Sequence, residues 1–160
     1  MAELLLLWKD TLPYQSHYNS VQNAAEKIRT RLGCALTENF YTRAMALELE
    51  SIGCTCRIED PIPVPYVIGD HTHFIGTVRA DINVVFPDGT RALVELKHSQ
   101  ITAPTIRQAE QQICSYNKLL ALNERQSATI LLVVAFPKND SAAGVLSVLK
   151  QDGSPVEQLP

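Results

Sequence analysis

Apolar positions recur at a helical period from about Ser20, a possible cap, through Ala24, Ile28 and Leu32, and Gly33 then breaks the run. A second helix is predicted from about Thr37 to a stop at Gly53. At roughly 100° per residue, Leu36, Phe40, Ala44 and Leu47 form a stripe expected to face inward. Tyr41, Met45, Leu49 and Ile52 form a second stripe, and Asn39, Thr42, Arg43, Ala46 and Glu50 an outward arc. Residues 54–58 read as a short strand, after which Pro61, Pro63 and Pro65 punctuate a linking segment. Two β-rich stretches, residues 74–86 and 91–98, flank the turn Pro87-Asp88-Gly89-Thr90 and predict a hairpin. Pro104 opens a third helix that runs to about Asn123, with Ala109, Ile113, Tyr116 and Leu120 inward. The continuous apolar run 128–136 suits a strand buried on both faces. Residues 145–149 add an edge strand, and 151–160 read as a loose tail.

The order helix, helix, strand, hairpin, helix, strand describes an α/β (α+β) fold, a mixed central sheet flanked by helices. At 160 residues and 46% apolar content the chain suits one domain, residues 1–150, with a single core. The apolar run 4–8 is too short to span a bilayer, so no membrane is expected. The four cysteines show no disulfide spacing and no signal peptide precedes them, which points to free thiols in an intracellular compartment, cytoplasm or nucleus. Cys54 and Cys56 with His71 and His73 could bind zinc, although the spacing is not that of a common finger. The formal net charge of −3 argues against a purely electrostatic nucleic-acid binder. Contact with a polyanion would need local basic patches, bound metal ions or a partner.

Candidate chemistry lies where polar residues fall on expected core faces. Side chains two apart on a strand share a face, so Glu95 and Lys97 point together, opposite Val94 and Leu96. Asp81 lies on the partner strand of the hairpin, and a twisted hairpin can bring it near Glu95. A cross-strand salt bridge on a solvated face would show the same pattern. Glu38 falls within the second stripe of its helix, beside Met45, where a carboxylate is expensive unless paired or bound to metal. A first-turn glutamate also suits the helix dipole, and Glu48 is expected to be structural. On the third helix Gln112 lies four residues before Tyr116, so the two can act together. Arg79, two residues before Asp81, is the best candidate for a phosphate contact, with Arg29, Arg31, Arg43 and Arg107 also available.

The series Glu38, Asp81, Glu95-Leu96-Lys97 and Gln112-x-x-x-Tyr116 resembles the PD-(D/E)XK nuclease superfamily, in particular its RecB-like and lambda-exonuclease-like branch. The run 33–41, with Gly33, Glu38 and Tyr41, looks most like the small GxxExxY proteins, and the likeness spans about residues 20–136. Ala35 replaces a glycine usual there, and His98 stands where a small residue is common. The resemblance implies a restriction-endonuclease-like core and a Mg²⁺-dependent nuclease, Mn²⁺ substituting, acting on nucleic acid, with DNA the expected substrate. It implies Asp81, Glu95, Glu38 and the Leu96 carbonyl as metal ligands, Lys97 as the group that positions water, and Gln112 and Tyr116 as orienting residues. A homodimer or a protein partner is compatible with it. A catalytically inactive nuclease-fold module that binds nucleic acid or protein is the alternative.

Overall fold

A computed structural model describes the backbone of residues 2–156, and side chains from Tyr14 onward. The element order is α1 (Ala2–Leu32), α2 (Glu38–Ser51), β1 (Thr55–Ile68), β2 (His71–Val85), β3 (Arg91–Lys97), α3 (Ala103–Leu122), β4 (Ile130–Ala135) and β5 (Gly144–Lys150). The five strands form one sheet in the order β1-β2-β3-β4-β5. Neighbours are antiparallel except β3 and β4, which are parallel and joined through α3. A parallel pair needs such a crossover. The expected mixed sheet flanked by helices is therefore present.

Two apolar clusters lie on opposite faces of the sheet. Val21, Ala25 and Ile28 of α1 and Tyr41, Met45 and Leu49 of α2 cover Ile82, Val84, Val94, Leu96, Leu132 and Val134. Ala109, Ile113 and Leu120 of α3 cover Leu93, Leu131 and Val133. Alternate residues of β3 and β4 thus enter different clusters, and every residue of β4 is buried. Asn117 of α3 ties helix to sheet: its amide accepts from Ala128 N at 2.7 Å and donates to Ala128 O at 3.0 Å.

Several boundaries depart from the sequence reading. The first helix extends back to Ala2, well before Ser20. On α2 only one of the two apolar stripes is used: Tyr41, Met45 and Leu49 are buried together with Thr42 and Ala46, whereas Phe40 and Leu47 are exposed. The helix lies on the sheet by one face, and periodicity alone does not choose between two stripes. Its end follows expectation, with Gly53 at φ 94° and Cys54 N donating back to Leu49 O at 3.1 Å.

The larger departure concerns the prolines. Pro61, Pro63 and Pro65 do not link elements; they lie within β1, paired with Arg79, Thr77 and Phe74 of β2. β1 is an edge strand, and alternate residues send their N–H the same way. Three prolines at alternate positions therefore suit the side with no neighbour. Beyond Ile82, β2 has no β3 partner among the described residues, so β1 and β2 continue as a two-stranded arm. At the C-terminus, Val156 N donates to Val148 O at 2.9 Å, so residues 151–156 fold back on β5 and are not a loose tail; 157–160 lie outside the described residues.

Candidate active site

Strand β3 sends Val94 and Leu96 to the α1/α2 side and Leu93 to the α3 side. Glu95 and Lys97 accordingly share the α3 side, as alternation requires. Glu95 is 3% exposed, and its Oε1 lies 3.2 Å from Lys97 Nζ. Lys97 Nζ also donates to Gln112 Oε1 at 3.4 Å, and Gln112 Nε2 donates to Tyr116 OH at 2.6 Å. The i, i+4 spacing on α3 therefore builds one polar chain from Tyr116 to Glu95.

Asp81 arrives by another route. Val78 and Ala80 belong to the cluster under α3, whereas Ile82 belongs to the one under α1 and α2. Residues 80 and 82 should share a face, so the alternation of β2 breaks at Asp81. Glu59, on the adjoining stretch of β1, has φ 50°, which is rare for a residue with a side chain. The break coincides with the point where the β2–β3 ladder stops. There the Asp81 carboxylate takes the place of a strand neighbour, its Oδ2 accepting from Leu96 N at 2.8 Å.

Glu38 enters from the first turn of α2, and its Oε2 accepts from His98 N at 3.2 Å. The N–H groups of residues 96 and 98 leave β3 by the same edge, and the C=O of Leu96 leaves by that edge between them. Lys97 O faces the other way, accepting from Phe136 N at 2.7 Å. Asp81, the Leu96 carbonyl and Glu38 therefore line one short stretch of exposed strand edge, with Glu95 on the adjacent residue.

The electrostatics fit this crowding. Burial, and then the charge of Asp81, push the Glu95 carboxyl up to about 8. Burial pushes Asp81 up to about 6, opposed by the Leu96 N–H and reinforced by Glu38. Burial alone would pull the Lys97 ammonium down, but Glu95, Glu38 and Asp81 more than offset it and hold it above its ordinary value. Lys97 is thus a firm cation, but one ammonium would not neutralise all three acids if each were ionised, and Glu95 keeps its proton up to about 8. Two carboxylates and a backbone carbonyl are hard oxygen donors of the kind magnesium accepts while keeping several waters. Among the described residues no three His, Cys, Asp or Glu side chains already stand in ligating geometry. The donor chemistry fits a divalent cation, and Glu38 would complete the set through water or a small side-chain movement.

Other expected residues are placed elsewhere. Arg79 lies on β2 just before the residue at which its alternation breaks, and its exposed side chain donates to Glu59 O at 3.4 Å. Arg29 holds the carbonyls of Pro137 at 2.6 Å and Ser141 at 2.7 Å, so it is structural. Arg31 is paired with Glu48 at 2.6 Å, in keeping with the structural role expected of that glutamate. The His98 ring packs beside Tyr41, with Nδ1 2.7 Å from Phe136 O. The zinc alternative fails on distance. His73 pairs with Tyr66, ten residues along β1 from Cys56, or roughly 33 Å. Burial, with Cys54 and Glu50, also pushes the Cys56 thiol up to about 12.

One residue escaped the sequence reading. Lys138 lines a groove of about 460 Å³ with Glu38, His98 and the loop 34–37. It follows the end of β4, and nothing in local spacing connects it to a glutamate a hundred residues earlier. The Arg29 contacts to residues 137, 139 and 141 hold the loop that carries it.

Comparison with known proteins bears on the family. The model of a family described as the PD-(D/E)XK nuclease superfamily matches residues 15–142. No curated protein matches the chain. Among solved structures, one described as the crystal structure of SSO0001 is similar at 14% identity and a TM-score of 0.46, over 98% of this chain and 80% of that one. That likeness is too distant to bear on the site.

Proposed function

Because this chain belongs to the PD-(D/E)XK nuclease superfamily, we propose that it is an active nuclease hydrolysing phosphodiester bonds, in DNA, with a divalent cation, magnesium or manganese, as cofactor. The observation that carries the reading is the strand edge at Leu96, where Asp81 accepts from Leu96 N and Glu38 from His98 N beside the Leu96 carbonyl and the buried Glu95. The run 33–41, with Gly33, Glu38 and Tyr41, supports placing the chain among the small GxxExxY proteins.

In this reading Asp81, Glu95 and the Leu96 carbonyl hold the cation, with Glu38 a further direct or water-mediated ligand. A bound cation would supply Lewis acidity toward the phosphate and the attacking water. Lys97, kept cationic by its acidic neighbours, positions that water and stabilises negative charge that develops on the phosphate oxygens. A role as base would need a lowered pKa, and in the metal-free site the acids instead raise it. Gln112 and Tyr116 hold the ammonium in place from the α3 side. Lys138 lies where a flanking phosphate could reach it.

A non-catalytic nucleic-acid or protein-binding module is the rival reading, favoured by the net charge of −3. Activity on plasmid and single-stranded DNA with Mg²⁺ or Mn²⁺ separates the two. Wild type should cleave. Asp81→Ala should lose both cleavage and the upward shift in melting temperature caused by metal. Lys97→Ala should keep the metal-induced shift and lose about 10²–10³-fold in turnover. Wild type that neither cleaves nor gains stability from metal would refute the catalytic reading.

A further inference from the structure

The arm formed by β1 and β2 has no role in the site. Tyr66, Val67, Ile68, Phe74 and Ile75 on it are 56–66% exposed. Together they present on the order of 500 Å² of apolar surface, near the upper end for a stable monomer. A two-stranded ribbon of this kind is marginal when it stands alone.

The two edges of the arm differ. The β1 edge carries Pro61, Pro63 and Pro65 and so cannot accept another strand. A proline cannot belong to a mutually hydrogen-bonded pair, so its partners Arg79, Thr77 and Phe74 must send their N–H and C=O groups away from β1. The β2 edge of the arm therefore offers backbone groups to a further strand, with no proline or lysine to block it.

Charge selects the occupant. From residue 58 to 78 there is no Lys or Arg, so a polyanion has nothing to hold there. Between residues 61 and 80 the formally charged side chains are Asp70 at the tip and Arg79 at the root. Two arms lying antiparallel bring the Asp70 of each beside the Arg79 of the other, and set Phe74 and Ile75 of both around the two-fold axis. No other arrangement of two identical arms pairs both charges and both open edges at once.

We propose that the chain forms a homodimer by antiparallel pairing of the open β2 edges of two arms, with Asp70 of each copy opposite Arg79 of the other. Edge pairing sets Phe74 and Ile75 of both copies against one another and joins two marginal ribbons into one four-stranded sheet, which stabilises the association.

Sedimentation equilibrium on the full chain tests this directly. Wild type should be a dimer at micromolar concentration. Asp70→Arg and Arg79→Asp should each raise the dimer dissociation constant by about tenfold or more, since each turns two attractive contacts repulsive. An equimolar mixture of these two variants should restore association, because both contacts in the heterodimer are again between opposite charges. Thr77→Pro, which removes an edge N–H without touching the β1 ladder, should also give monomer. Circular dichroism and melting temperature confirm that each variant is folded. A monomeric wild type, a dimer indifferent to the charge variants, or a mixture that associates no better than either variant alone would overturn the proposal. The first outcome would leave the arm to a strand from a different protein.

Discussion

Replacing Glu95 by Gln should stabilise the metal-free protein at pH 8. Glu95 is 3% exposed, and its carboxyl is displaced from 4.5 to about 8 by desolvation and by Asp81. Between those values the unfolded chain has lost the proton and the folded chain keeps it, so stability falls as pH rises. The stabilising effect of the bound proton is complete below about 4.5 and gone above about 8. At about 1.4 kcal/mol per pH unit, that displacement amounts to roughly 3–5 kcal/mol. Asp81, raised to about 6, adds to the lower part of the same window with the same sign. For a chain of this size the loss is on the order of 10 °C in melting temperature. Glutamine keeps the volume and an acceptor for Lys97 without the proton.

The assay is melting by circular dichroism from pH 5 to 8.5, in EDTA and in excess magnesium. In EDTA the wild-type melting temperature should fall with pH, while Glu95→Gln should fall much less and lie above wild type at pH 8. Magnesium should restore the wild type at high pH, because the cation replaces the proton. It should leave Glu95→Gln nearly unchanged. A wild-type curve in EDTA that is flat, or parallel to the variant over this range, would refute the account of a site held apart by its own charge.

Two further predictions concern the frame. Asn117→Ala should cost about 2–3 kcal/mol, because it leaves the N–H and C=O of Ala128 buried without partners; chemical denaturation would measure it, and a loss under 1 kcal/mol would contradict it. Arg29→Ala should free the loop that carries Lys138, lowering stability by about 1–3 kcal/mol and weakening DNA binding more than Lys138→Ala does alone, as read by titration with labelled DNA at fixed salt.

Much of this molecule can be read from local pattern. The pairing of Glu95 with Lys97 follows from the two-residue period of a strand, and that of Gln112 with Tyr116 from the turn of a helix. Both depend on backbone geometry that any such segment adopts. The same applies to α3, opened by Pro104, and to β4, whose unbroken apolar run requires cover on both faces. Those features were decided by the order of residues alone.

Packing decided the rest. Asp81 reaches the Leu96 N–H because β2 breaks its alternation and leaves β3 at that residue, which no period predicts. Glu38 meets the His98 N–H, sixty residues away in sequence, because α2 lies on the sheet by one of its two apolar stripes. The three prolines read as a linker until the sheet order shows β1 at an edge, where a missing N–H is harmless. Lys138 joins the groove through a loop tied down by Arg29. Local periodicity sets which side a residue faces within its own element, whereas the distance between elements depends on how their apolar faces are matched, and that is a property of the whole chain.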